Sequence, residues 1–271
     1  MKIDNHRKSL HIAYDAQNFA VDDEGVPRFR YRMWQKPEPD RKYGLGADPS
    51  EGLDNGDDSC LCILSDLGEQ CFSFAGQIDP DEFGLMVNMA GTFYNNAYVG
   101  VENNKIMTPI EVLQHLGYQN MHYEWVRRGQ PTPERKEKLG WNTNAITRPI
   151  LIDQAQKGLK DGYLWIRDKM ILDQMALFER DKRGKYQAIV GAKDDAIFAW
   201  MIAVQMIQFM WVADDLRAEG LLPRLDNHHL GDTDIDMLSE IEDEEDVDLF
   251  EKSLRRMRSE NAETTMGGMS L

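Results

Sequence analysis

Between residues 28 and 77 the chain runs in short apolar or alternating stretches, the mark of strands rather than helices. Arg28–Trp34 alternates basic and apolar residues, as an exposed strand does. Tyr43–Asp48 is an apolar run closed by a carboxylate, and Ser59–Ser65 and Gln70–Gln77 are two further runs joined by a tight turn at Gly68. Asp54-Asn55-Gly56-Asp57 supplies hairpin chemistry, because Asn-Gly tolerates positive φ. The pattern predicts three antiparallel strands in sequence.

After that the period changes. Asp79-Pro80-Asp81-Glu82 opens a helix to about Phe93, with Asp79 as N-cap, Pro80 in the first position and Glu82 closing a capping box. Tyr98–Glu102 reads as a strand that again ends in a carboxylate. Thr108-Pro109-Ile110-Glu111 repeats the capping signature for a helix to about Leu116, and Met121–Val126 is one more strand. Strand, helix, strand, helix, strand implies parallel pairing through right-handed crossovers. Arg127–Asn144 is a polar loop, Arg148–Lys160 a helix, and Leu164–Arg167 a short strand. Lys169–Phe178 is a helix capped by Asp168, Tyr186–Val190 is extended, and a hydrophobic helix runs from about Asp195 to Trp211. The fold class is therefore α/β: a mixed sheet of three antiparallel strands followed by parallel ones, flanked by helices. In the last helix Ala196, Ala199 and Ala203 form a small-residue face that would lie close on the sheet, while Phe209–Val212 could present an apolar patch to a partner. Ala196–Ala213 has only Gln205 and Gln208 as polar residues, but at 18 residues between Asp pairs it reads as a buried core helix rather than a membrane span.

Composition sharpens this. The 271 residues are 42% hydrophobic and 9% aromatic, enough for a core, with a formal net charge of −16. That charge excludes binding of nucleic acid by bulk attraction, but not through a local basic patch. Residues 226–271 hold 14 acids against 4 bases and read as a disordered acidic tail. The expected division is an arm with an exposed basic strand over 1–42, a folded domain over 43–225 and the tail over 226–271. Two stretches of the body are basic, 27–43 and 124–148. The odd count of three cysteines, Cys60, Cys62 and Cys71, with no C-x-x-C pair or nearby His, argues for buried thiols in a reducing cytosol and against zinc.

Three acidic positions stand out: Asp48 and Glu102, each closing a strand, and Asp194-Asp195 opening the last helix. If the strands ending in Asp48 and Glu102 lie side by side, both carboxylates project from the edge where open α/β sheets bind ligands. A helix start at that edge would add a third. Carboxylates so close are tolerated mainly around a cation, and an all-oxygen set favours Mg²⁺ or Mn²⁺. Two such ions can activate a water and stabilise the leaving oxygen of a phosphodiester. Plainer roles stay open: Asp194 or Asp195 as an N-cap, Asp48-Pro49 and Glu102 as strand ends, and Asp54, Asp57 and Asp58 as turn residues.

At these residues the chain resembles a family. Gly46-Ala47-Asp48-Pro49-Ser50-Glu51-Gly52, Gly56-Asp57-Asp58-Ser59, Val99-Gly100-Val101-Glu102-Asn103-Asn104 and Gly191-Ala192-Lys193-Asp194-Asp195-Ala196 look like the C-terminal nuclease domain of a tailed-bacteriophage terminase large subunit. Gly140-Trp141-Asn142-Thr143 with Arg148-Pro149 is similar to the same family. The resemblance covers about residues 25–212. It implies a ribonuclease H-like fold and an endonuclease that cuts concatemeric viral DNA during genome packaging in the host cytoplasm. By resemblance Asp48, Glu102 and Asp195 are the metal-binding catalytic acids, with Asp194 and Asp58 in support. The place often held by His is Lys193 here. Arg127, Arg128, Arg135, Lys136, Lys138, Arg148 and Lys193 are the candidate DNA contacts, a solvated loop being the plainer reading for those in the loop. The resemblance further implies a terminase ATPase domain, a small subunit and the portal as partners. No G-x-x-x-x-G-K-[ST] occurs in the sequence, so no P-loop hydrolysis of ATP is expected, and the chain is expected to be the nuclease part alone. Alternatives from the same residues are a resolvase- or transposase-like nuclease and a non-catalytic packaging module. The tail reads as a solubilising end, with docking to a packaging protein or screening of the site as its functional alternative.

Overall fold

The structure, a computed structural model, describes residues 29–53, 56–124, 138–181, 184, 186–222 and 224–225. A five-stranded sheet forms its centre. It contains β1 (Phe29–Met33), β2 (Tyr43–Asp48), β3 (Ser59–Ser65), β4 (Gln70–Gly76) and β5 (Tyr98–Val101), in the order β1-β4-β3-β2-β5. The pairs β2–β3, β3–β4 and β1–β4 are antiparallel, while β2 and β5 are parallel, from Gly44 opposite Tyr98 to Ala47 opposite Val101. This is the mixed sheet the sequence predicts, with β5 beside β2. Helices α1 (Pro80–Phe93) and α2 (Thr108–His115) follow β4 and β5; α3 (Thr147–Asp161), α4 (Lys169–Ala176) and α5 (Asp195–Ala218) come after. A two-stranded ribbon, β6 (Phe178–Arg180) with β7 (Tyr186–Ala188), precedes α5.

Helix α5 is the long element of the core. By length and composition it is apolar enough to cross a membrane, yet 78% of its apolar window is buried inside the protein. It lies directly on β2, because a Cβ at Gly46 would meet the Ala199 carbonyl oxygen and the Ala203 nitrogen at 2.2 Å each. The small-residue face expected from Ala199 and Ala203 thus meets a strand that is itself stripped to glycine. Cys60, Cys62 and Tyr98 join α5, α3 and α4 in one core cluster. The aromatic contacts of Phe74 with Phe83 and of Tyr43 with Tyr94 mark the opposite face, under α1. All three cysteines are buried and free. Burial pushes the Cys60 and Cys62 thiols well above their ordinary range, which makes them inert apolar packing rather than nucleophiles.

Several expectations need correction. The basic strand is not an exposed arm but the edge strand of the sheet. Phe29 and Tyr31 pack on Phe74 and Phe72, and Arg32 ion-pairs at 3.0 Å with buried Asp168, which also accepts from the Ser73 hydroxyl at 2.6 Å. Arg30 contacts the Met170 sulfur. Alternation of basic and apolar residues is the same whether the basic face meets water or a capped helix. Met121–Val126 and Leu164–Arg167 supply isolated bridges, Val99 with Met121, Tyr123 with Leu139 and Glu69 with Trp165, rather than full strands, and Trp125 and Val126 lie outside the described residues. Asp79 caps α1 in position only, without a side-chain bond, and Met107 rather than Thr108 precedes α2. Asp168 does cap α4, accepting from the Met170 amide at 2.8 Å. The turn residues Asp54 and Asn55, Arg28 and the stretch from Asp226 onward lie outside the described residues.

Candidate metal and nucleic-acid site

The parallel pairing of β2 with β5 sets the two strand-end acids side by side. The Glu102 amide donates to the Ala47 carbonyl at 2.8 Å, so Glu102 follows β5 as Asp48 closes β2. Behind them Gly140 lets the loop of 138–144 come in close: its φ is +87°, and a Cβ there would meet the Val101 carbonyl oxygen at 2.5 Å. The N-terminus of α5 completes the edge, with Asp194 as N-cap and Asp195 as first residue. Asp48, Glu102, Asp194 and Asp195 all line one cleft of about 1000 Å³.

Their electrostatics are strained. Burial, then the charges of Glu102, Asp195 and Asp194, raise the Asp48 carboxyl well above its ordinary range, and Asp48 shares a hydrogen bond with Glu102. Burial also raises Glu102, although that bond and the charges of Arg148 and Lys105 pull against it. Asp195 is pushed up to about 7, by burial first and then by Asp57, Asp194 and Asp58, while the Asp58 amide, donating at 3.4 Å, opposes the shift. Four acids facing one cleft with three carboxyls raised form a region short of positive charge. Even so, among the described residues no three His, Cys, Asp or Glu side chains come together as a ready-made metal cage.

The remaining candidates separate. Arg148 lines the cleft, with its guanidinium 4.3 Å from the Phe198 ring centroid and 3.4 Å from the Asp194 carboxylate. Lys193 does not reach in: its ammonium donates to the Gly56 carbonyl at 2.8 Å and pairs with Asp58 at 3.2 Å. Asp58 is consequently turned to Lys193, and its neighbour Asp57 lines the cleft. Lys138 sits 3.8 Å from Glu124, half exposed. Arg127, Arg128, Arg135 and Lys136 lie outside the described residues. Sequence reasoning missed Asp57, Lys105, Asn144 and Tyr186, which also line the cleft. Lys105 follows directly on the Val99–Asn104 motif and Asp57 lies inside the Gly56–Ser59 motif, a signal that proximity could have supplied. Nothing local marks Tyr186, which the β6–β7 ribbon brings in.

With this geometry in hand, comparison with solved structures identifies the fold. The chain is similar to the large terminase nuclease from thermophilic phage G20c with bound magnesium, at 19% identity and a TM-score of 0.52, covering 72% of this chain and 96% of that one. It is equally similar to the same nuclease with bound cobalt, at 16% identity and a TM-score of 0.52, with the same coverage. The chain therefore has the ribonuclease H-like fold of large terminase nucleases, as the sequence resemblance implies. No family model and no curated protein matches the chain.

Proposed function

We propose that this protein is a divalent-metal-dependent DNA endonuclease of the terminase large-subunit type, which cuts concatemeric viral DNA during packaging in the host cytoplasm with limited sequence specificity. The observation that carries the reading is the gathering of Asp48, Glu102, Asp194 and Asp195 on one cleft, where burial foremost raises the carboxyls of Asp48, Glu102 and Asp195. An all-oxygen donor set without His or Cys fits Mg²⁺ or Mn²⁺. Asp48, Glu102 and Asp195 would hold the ions, two in number, with Asp194 and the cleft-facing Asp57 in support. Among the described residues no three acids stand ready as a cage, so these side chains would have to draw in to hold a cation. When bound, the cations supply water activation and neutralise charge on the phosphate. Solved structures of the same fold with bound magnesium and cobalt support this assignment.

The chain's own residues then have defined work. Arg148, stationed over the Phe198 ring, presents N–H groups to a phosphate, and Lys105 adds charge on the rim. These contacts carry no sequence code, so binding should depend steeply on salt and little on sequence. Arg127, Arg128, Arg135, Lys136 and Lys138 extend this contact in the proposal, and the ATPase domain, small subunit and portal are the proposed partners. The arm, nuclease and tail division belongs to the same proposal, with β1 assigned to the sheet. The test is plasmid cleavage with Mn²⁺ by wild type and Asp48→Ala. We expect nicking and linearisation by the wild type and a loss of at least about 100-fold in the variant, the scale of several kcal/mol of charge stabilisation. Activity that survives Asp48→Ala would refute this site.

A further inference from the structure

Four asparagines connect the tip of β5 to the start of α3 through their side chains. Asn104 Nδ2 donates to Glu102 Oε1 at 3.3 Å and to the Thr143 carbonyl at 2.7 Å. Its Oδ1 accepts from Asn142 Nδ2 at 2.8 Å and from the Thr143 amide at 3.0 Å. Asn142 also donates to Asn103 Oδ1 at 3.2 Å, and its own Oδ1 accepts from Asn144 Nδ2 at 2.7 Å. Asn144 Oδ1 then takes the amides of Ile146 and Thr147 at 2.8 and 3.1 Å, while the Thr147 hydroxyl donates to the Asn142 carbonyl at 2.5 Å. Those amides are donors that a helix start otherwise leaves unpaired. The next residue is Arg148, which reaches Asp194 on the other wall of the cleft.

Stability does not account for this arrangement. Asn104 and Asn144 are exposed. Each bond there is worth about 0.5–1.5 kcal/mol net, and fixing a side chain costs a comparable amount, so the balance is near zero. What the bonds do provide is direction. An amide is donor at one end and acceptor at the other, so a run of them fixes the orientation of every member.

We propose that Asn142 is the hub of a positioning relay: Asn104 orients Glu102, Asn144 orients the start of α3 and with it Arg148, and Asn142 keeps the two in register. This rests on the reading that Glu102 holds a divalent cation and Arg148 a phosphate of DNA. The relay makes a divided prediction. Asn104→Ala weakens Mn²⁺ binding, measured by calorimetry, about tenfold and leaves duplex affinity unchanged. Asn144→Ala weakens duplex affinity, measured by anisotropy without divalent ions, about tenfold and leaves Mn²⁺ affinity unchanged. Asn142→Ala weakens both. The two exposed positions keep the test valid should Asn142→Ala fold poorly. A wild type that binds Mn²⁺, with variants that match it or that lose both ligands alike, overturns the relay alone. A wild type that binds no Mn²⁺ overturns the relay and the site reading together.

Discussion

Helix α5 carries an Asp pair at each end, Asp194-Asp195 at its start and Asp214-Asp215 near its close. The helix dipole favours acids at the first and disfavours them at the second, by about 0.3–1 kcal/mol each. On that ground the first pair should be the settled one. The opposite holds. Asp214 accepts from Arg217 at 3.0 Å and pairs with Lys42, whose ammonium also lies 4.1 Å from the Trp211 ring centroid. Asp195 is instead pushed up to about 7 from 3.8, a shift on the order of 4 kcal/mol at about 1.36 kcal/mol per unit. Burial and neighbouring carboxylates outweigh the dipole severalfold. In the proposed site, an acid strained where the backbone would welcome its charge would take its partner from outside the chain, and the two ends of one helix set up that contrast.

The largest expected effect tests this contrast directly. Asp195→Asn should lower Mn²⁺-dependent plasmid cleavage by at least about 100-fold, the loss of a cation-holding charge. Asp214→Asn should leave it within about twofold, since an exposed pair is worth only about 0–1 kcal/mol and Asp214 lies outside the cleft. Equal losses from both ends would erase the distinction.

Next in size is the pH dependence of stability without divalent ions. The folded pKa of Asp195, about 7, lies above the ordinary carboxylate value of 3.8. The native state therefore binds more protons than the unfolded one between these values, and stability falls as pH rises through about 4 to 7. Asp195→Asn removes that charge while its side-chain oxygen can still accept from the Asp58 amide. Thermal unfolding in a chelator should find the variant more stable than wild type at pH 8, by on the order of 4 kcal/mol at most, with the gap closing toward pH 4. Excess Mg²⁺ should stabilise the wild type at pH 8 and not the variant. A gap that stays constant with pH would mean that Asp195 is not strained.

Legibility follows the range of the contacts involved. Asp48 and Glu102 were readable because each closes an apolar run, and strand order alone makes those runs neighbours. Asp194-Asp195 was readable because a helix start fixes its own position. Asp57 and Asp58 were not separable, because they are adjacent in an irregular connection. Which one faces the cleft is decided by Lys193, 135 positions after Asp58. The basic face of β1 was misread for the same reason, since its partner Asp168 lies 136 residues from Arg32. The motif Gly140-Trp141-Asn142-Thr143 was visible as a string, but the pairing of its amides with Asn104 depends on how closely Gly140 lets the loop approach β5.

The smallest effect belongs to the settled end of α5. Lys42 pairs with Asp214 and stands over Trp211, half exposed, so Lys42→Ala loses one surface ion pair and one cation–π contact. Together these are worth about 1 kcal/mol, the lower end of each range applying at solvent-exposed positions. For a domain of this size that corresponds to a fall of about 3 °C in Tm, which should shrink in high salt as the ion pair is screened. Cleavage and Mn²⁺ affinity should match wild type, because Lys42, Trp211 and Asp214 are not among the residues that line the cleft. A fall in Mn²⁺ affinity on Lys42→Ala would show that the two ends of α5 are coupled along the helix, and would replace the picture of one satisfied and one strained end with that of a single element carrying both.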